Sequence, residues 1–375
     1  MGVGKNYTIR IGEFYTAVDL AINIIQNQKI SYMNYHIEDL NNINTADWKR
    51  LSEGSIDGTF FHTLKWKRTL EQSFNCKSHY FLLYRNEKPV ALCPFYEDVI
   101  QGIRGLMPLS RSDYNHIIIT DKYDPLIAYH ILEKCKEIAR NSRLFFILIT
   151  TQSESTIDHF NRYNSLGYPI GGTMVLNLDE HNPDKIWNEI LSNQDRKYIR
   201  RFEKDGFRVK KVNSIEDIKI LYKYYETNLK YINAIPYPFS HFEDLLNIYS
   251  STEMIRTLLC KNEIIAGGHL SFLDEPNKTI HLRYLSLNRN LPTRYHPTLY
   301  IEWDIIKTAS EMGYRRICFG RTLPYPEDIH YKLKEKFGCQ YEKEYSIIIP
   351  TSYLFKIIYP IYYNLYSLVQ KYKLP

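Results

Sequence analysis

The sequence predicts an α/β protein of mixed sheets covered by helices, arranged as two units. Three observations carry that expectation. The chain has 375 residues, more than one core of ordinary size fills and enough for two. Strands and helices alternate in an order that runs along the chain twice. No apolar run approaches the roughly 20 residues a membrane-crossing helix needs, and 44% hydrophobic with 24% charged residues is the balance of a water-soluble globular chain.

Residues 1–32 hold a short amphipathic stretch, Ala17 to Ile25, with no capping residues tying it to the next segment; they read as peripheral, with Met33 as an alternative start. The first unit, 33–172, opens with a strand into Asp39, a helix over Ala46 to Ser52, and helical apolar spacing in F-F-H-T-L-K-W-K-R-T-L from Phe60. Strands Tyr80 to Tyr84 and Val90 to Tyr96 flank the turn Asn86 to Pro89. A loop, Gly102 to Tyr114, leads to a strand His116 to Thr120, a helix Pro125 to Asn141 and an apolar strand Leu144 to Thr150.

The second unit, 173–350, starts with a strand Met174 to Leu178. Asn182 and Pro183 supply a cap and a first-turn proline for a helix expected to run to Gly206, where positive φ stops it. Next come a strand Arg208 to Val212, helices Ile215 to Leu229 and Phe239 to Tyr249, and strands Ile255 to Cys260, Ile264 to Phe272 and Thr279 to Ser286. A helix Pro297 to Met312, a strand Arg316 to Gly320, a helix Tyr331 to Phe337 and a strand Glu344 to Ile349 complete it. Residues 351–375 form an aromatic tail. Gly267 and Gly268, inside a strand, suggest a bulge or a close backbone approach.

The 33 tyrosines accompany equally abundant Lys, Ile and Asn, so compositional bias explains them more simply than a stacking platform. A formal charge of +6 is too weak for a nucleic-acid coat but compatible with a local phosphate site. The six cysteines stand far apart, without C-x-x-C or zinc-ligand spacing, which points to a reducing compartment and no structural metal. The first ten residues lack a secretory h-region, and the protein reads as cytoplasmic.

The stretch G-Y-R-R-I-C-F-G-R-T from Gly313, then L-K-E-K-F-G from Leu333 to Gly338, resembles the signature of FemABX-type transferases. In that family a helix ends in G-Y, a strand ends in D-F-G-R-S or similar, and a short helix carries F-K-x-x-F/W-G. D-R-K-Y-I-R-R-F-E-K-D-G-F-R-V from Asp195 is similar to a second family segment, as are F-H-T-L-K-W at Phe61 to Trp66 and L-M-P-L-S-R-S-D-Y at Leu106 to Tyr114. The ordered set spans roughly Tyr35 to Pro350. Cys318, Thr322 and Leu333 depart from the pattern, which bears on substrate more than on fold. The resemblance implies two GNAT-like domains facing each other across a cleft, and an acyltransferase or aminoacyltransferase activity.

Acyl transfer to an amine needs an ester or thioester donor, a neutral amine, positive charge where the oxyanion develops, and a hold on a large anionic handle. No Ser-His-Asp or Cys-His pattern is evident, so direct attack is the simpler scheme, and no general base stands out in the sequence. The family's F-K lysine falls on Lys334, which is expected to stabilise the developing charge; the alternative is a solvated lysine on a basic helix. Arg321, ending a strand, suits bidentate contact with phosphate or carboxylate, or else a salt bridge tying strand to helix. Arg196, Lys197, Arg200 and Arg201 make a positive ridge for an anionic donor, or a solvated face. Arg294 and His296 lie in R-N-L-P-T-R-Y-H-P, which has no glycine where acetyl-CoA enzymes cradle a pyrophosphate; they are candidate substrate contacts, with Tyr114 expected on the opposite wall.

The resulting expectation is a FemABX-like transferase placing an aminoacyl or acyl group on an amine of a cell-envelope or polysaccharide precursor. It implies no permanently bound cofactor and no metal; the donor, aminoacyl-tRNA or acyl-CoA, is a co-substrate. Alternatives are an N-acyltransferase dependent on acyl-CoA or an acyl carrier, and a non-catalytic RNA- or polymer-binding module on the same fold. The tail, with Tyr and Ile between Lys356, Lys371 and Lys373, either forms a peripheral foot at the inner membrane face or packs on the first domain.

Overall fold

A computed structural model describes residues 34–100, 102–163, 165–167 and 171–361. The peripheral segment 1–32 and residues 362–375 of the tail lie outside the described residues.

The described chain forms two mixed sheets. The first holds β1 (Tyr35–Asp39), β2 (Ser78–Arg85), β3 (Lys88–Ile100), β4 (Ile103–Pro108), β5 (Ile118–Ile119), β6 (Phe146–Thr151) and β7 (Leu166–Gly167). The second holds β8 (Gly172–Asn177), β9 (Arg208–Lys211), β10 (Met254–Lys261), β11 (Ile264–Asp274), β12 (Thr279–Leu287), β13 (Arg316–Thr322) and β14 (Gln340–Lys343), in the order β14-β8-β13-β12-β11-β10-β9. The last strand, β15 (Tyr345–Pro350), is the one expected to complete the second unit. It pairs with β6 and β7 of the first sheet instead, at Ile347 opposite Ile149 and Gly167. All three of its central isoleucines are buried there.

Three further differences have local causes. The single helix expected from Asp184 to Asp205 is broken: a turn at Pro183–Lys185 passes into a π turn at Ile186–Ile190, Leu191 is extended, and a new helix runs Asn193–Lys204. Ser192 starts it, its hydroxyl accepting from the Asp195 N–H at 3.1 Å, a cap that ordinary apolar periodicity hides. Half of the expected loop Gly102 to Tyr114 is β4, hairpinned on β3 from Ile100 opposite Ile103. The helix at Glu154–Asn161, which Ser153 caps, is additional to the expected elements.

The two halves share a core. Phe60 stacks on Phe272 at 4.4 Å between centroids, and Phe61 and Trp66 are fully buried among residues of both sheets. The burial of each such ring contributes about 1.5–3 kcal/mol. Beneath them the Asp274 carboxylate accepts the Phe60 N–H at 2.7 Å and faces His281 at 3.4 Å. Burial alone would lower the His281 pKa; the hydrogen bond to Asp274 overcomes it and holds the ring at about 9. Around Gly267 and Gly268 the close approach is to this chain's own strands: a Cβ would lie 2.5 Å from the Ser286 carbonyl and 2.2 Å from that of Thr257. The bulge is adjacent, between Leu259 and Cys260 in the β10–β11 pairing.

Candidate functional site

Strands β12 and β13 run parallel but pair only where Thr279 to His281 meet Arg316 to Cys318. Beyond that point they part, and a cavity of about 470 Å³ lies against the next residues of each: Leu282, Arg283 and Leu285 on one strand, Phe319, Gly320 and Arg321 on the other. Two irregularities aim these side chains. In the β11–β12 pairing Leu270 faces Tyr284 and Ser271 faces Leu282, so Arg283 is the extra residue of a bulge. In β13 the register shifts between Cys318 and Arg321, and Gly320 takes φ +80°, a conformation that carries little cost only without a Cβ.

The first domain supplies the lid. Its loop contributes Arg111, Ser112 and Asp113 to the cavity wall, with Leu109 and Arg111 both at positive φ, a strain of about 1–3 kcal/mol each that surrounding contacts must hold. Those contacts are specific. Arg283 donates to Asp113 Oδ1 and to the Arg111 carbonyl, each at 2.8 Å; Arg111 reaches Asp98 at 2.9 Å; Trp66 Nε1 donates to the Ser112 hydroxyl at 2.8 Å.

The helix Pro297–Glu311 forms the floor and lends Thr298 and Glu302. Glu302 is 4% exposed, and its Oε2 has no hydrogen-bond partner. Burial drives its carboxyl up to about 8, against the pull of Lys334 and Lys336. Lys334, on the short helix Ile329–Glu335, extends to the same cavity and donates to Thr322 Oγ1 at 2.6 Å and the Gly320 carbonyl at 3.3 Å. Burial lowers its pKa below the usual lysine range, with Glu302 opposing.

The lining cations differ in one respect. Arg111, Arg283 and Arg321 each have a carboxylate in ion-pair contact, namely Asp98, Asp113 and Glu344. Lys334 has none among the described residues and meets only neutral oxygens. It is therefore the lining cation whose charge is least committed to the protein.

Among the other residues that the sequence singles out, Arg321 borders the cavity, but its guanidinium also holds Asn115 at 2.7 Å and pairs with Glu344. That ties β13 of the second sheet to the residue just before β15 of the first. Glu344 is 1% exposed; burial would raise its carboxyl, yet Arg321 and His116 keep it below the usual range. Tyr114 is buried beside Phe61 and His281, its hydroxyl 3.3 Å from Glu342, and does not line the cavity, although the residues just before it do.

The basic helix stands apart from the cavity. Arg196 donates to the Trp187 carbonyl, Arg200 stacks over the Trp187 ring at 5.1 Å, and Arg201 donates to the Arg294 carbonyl at 2.7 Å. Lys197 is exposed. His296 lies against Tyr198, the rings tilted with centroids 4.0 Å apart, and precedes the floor helix; burial, together with Lys336, lowers its pKa. Arg201, Arg294 and His296 thus gather near the N-terminal end of the helix that carries Thr298 and Glu302.

Glu302, Arg283 and Asp113 are functional candidates that the sequence alone does not single out. For Glu302 a signal exists: it interrupts L-Y-I-E-W-D-I-I on the face that buries Leu299, Ile305 and Ile306, and a carboxylate on an apolar face is rarely left there without a partner or a task. Arg283 has none, because a bulge depends on the partner strand.

A sequence search of curated proteins found no match. Residues 191–333 match the model of the acetyltransferase (GNAT) domain. Among solved structures the chain is similar to FemX, at 14% identity and a TM-score of 0.65, over 86% of this chain and 99% of that one. It is also similar to a tandem GNAT protein from the clavulanic acid biosynthesis pathway, at 8% identity and a TM-score of 0.61, over 85% of this chain and 99% of that one. At such identities the likeness shows the fold alone, two GNAT-like domains in tandem, and the residues matched by the GNAT model lie in the second of them.

Proposed function

We propose that this protein makes an amide bond, moving an acyl or aminoacyl group from an ester or thioester donor to an amine in the cavity beneath the Arg111–Asp113 loop. The observation that carries the reading is Glu302, a buried carboxyl with a free oxygen and a pKa of about 8, lining the same cavity as Lys334.

In this scheme ionised Glu302 accepts the proton of the attacking nitrogen as the C–N bond forms. The carbonyl π electrons move to oxygen, where Lys334, fixed by Thr322 and Gly320, stabilises the oxyanion. Collapse of the tetrahedral species breaks the C–O or C–S bond to the donor, and the proton on Glu302 passes to the leaving atom. No bond to the protein forms. Arg201, Arg294 and His296, at the N-terminal end of the helix that leads to Glu302, are read with Arg196, Lys197 and Arg200 of the neighbouring helix as the anchor for the donor's phosphates; Arg321 and Tyr114 are read as supports of the wall. The acceptor is read as an amine on a cell-envelope or polysaccharide precursor, and the donor as an aminoacyl-tRNA, a CoA thioester or a carrier thioester.

Lys334→Ala should lower kcat by about 10²-fold with little change in KM, as expected for charge stabilisation in the transition state. Single-turnover assays run in parallel with charged tRNA and with acyl thioesters check this, and a chain that acylates no amine from either donor class would remove the reading. Arg200→Ala with Arg201→Ala should raise the donor KM by about tenfold in low salt and less at high ionic strength; a salt-independent KM would return the ridge to a solvated face.

A further inference from the structure

The helix 353–361 has two apolar faces. On one, Phe355 is buried and stacks on Phe146 at 5.2 Å, and Tyr359 lies one turn later at 5.1 Å from Phe355. Met107, Leu148 and Ile348 complete that contact, so this part of the tail packs on the first domain. The other face stays open: Tyr353 is 79% exposed, Leu354 61%, Ile361 58%, and Ile357 and Ile358 47% each. Phe145, 40% exposed, lies beside the start of the helix, its carbonyl accepting the Thr351 N–H at 3.0 Å.

A helix packed on one side normally turns polar residues outward, and a contiguous apolar patch marks an interaction surface. The charges around it select the partner. Arg143 and Lys356 are exposed and have no ion-pair partner among the described residues. From Thr351 to Pro375 the sequence contains no Asp or Glu, while Lys371 and Lys373 add further positive charge. A second copy docked face to face would bring this positively charged surface onto itself and supply no counter-charge. An anionic headgroup layer supplies that charge, and below it lies the acyl region that aliphatic and tyrosine side chains favour. No described helix is long and apolar enough to cross a membrane, so the helix would lie along the surface.

We propose that this face docks the protein on an anionic lipid surface. Packing on the first domain and contact with lipid use opposite faces and do not compete.

The test uses the full-length chain in flotation with phosphatidylcholine vesicles, with and without phosphatidylglycerol. Flotation with the anionic vesicles is expected, weakened by salt. Ile357→Glu with Ile361→Glu should cut the bound fraction by about tenfold at an unchanged thermal midpoint, because both side chains face solvent. A wild-type chain that stays at the bottom of the gradient with anionic vesicles overturns the proposal. So does a double variant that floats as well as wild type, or one that dissociates a dimer in size-exclusion chromatography with no wild-type vesicle binding. Flotation is read without turnover, so its failure leaves the amide-forming reading standing, and the reverse.

Discussion

Replacing Glu302 with glutamine is expected to lower turnover by about 10²–10⁴-fold, the usual contribution of a positioned general base, while making the protein more stable. Both effects arise from one fact, that a carboxyl 4% exposed has an oxygen without a partner. Its folded pKa of about 8 stands above the ordinary carboxyl value, so between pH 4.5 and 8 the folded state holds a proton that the unfolded state has released. Stability therefore falls as pH rises through that window, and the full penalty, on the order of a few kcal/mol, is reached above pH 8. Glutamine has no charge to bury, and its advantage over wild type should grow from pH 5 to pH 9 in urea denaturation. In wild type, kcat should rise through about pH 8 as Glu302 ionises, and that limb should vanish in the variant. Equal stability of the two proteins at pH 9 would show that Glu302 is hydrated rather than buried. An unaltered pH profile would remove it as the base.

The second large effect concerns the clamp between the domains. Arg283→Met should destabilise the protein by about 3–5 kcal/mol, because it leaves the buried Asp113 carboxylate without its counter-charge. It also frees the Arg111 carbonyl, which removes the restraint on a loop held at two positive φ values. Adding Asp113→Asn should restore most of the stability, since the orphaned charge is gone, but not the activity, since the loop stays loose over Glu302 and Lys334. Denaturant midpoints of the two single variants and the double variant check the coupling. Additive losses would mean that Arg283 and Asp113 act separately.

Much of the fold was legible because local chemistry agrees with the final structure. Asp124 and Pro125 start the helix that ends at Asn141. The alternation in Thr279–Leu287 makes a strand. The G-Y-R-R-I-C-F-G-R-T stretch places β13, and the lysine helix after it sets Lys334 against that strand. These signals lie within a few residues of the features they specify, as caps and periodicity do.

Tertiary structure decided whatever depends on a distant partner. The isoleucines of Tyr345–Pro350 say strand, but only the free edge beside β6 decides that it joins the first sheet. Arg321 ends its strand as expected, yet its engagement depends on Glu344 and Asn115, which the fold brings from either side. Arg283 points into the cavity because β11 forces an extra residue out of register, and it meets Asp113 across 170 positions of sequence. Glu302 has a free oxygen because the parting of β12 and β13 leaves space above its helix. Helix and strand formation are set by neighbours along the chain, whereas the charge state and freedom of a buried side chain are set by what surrounds it in space.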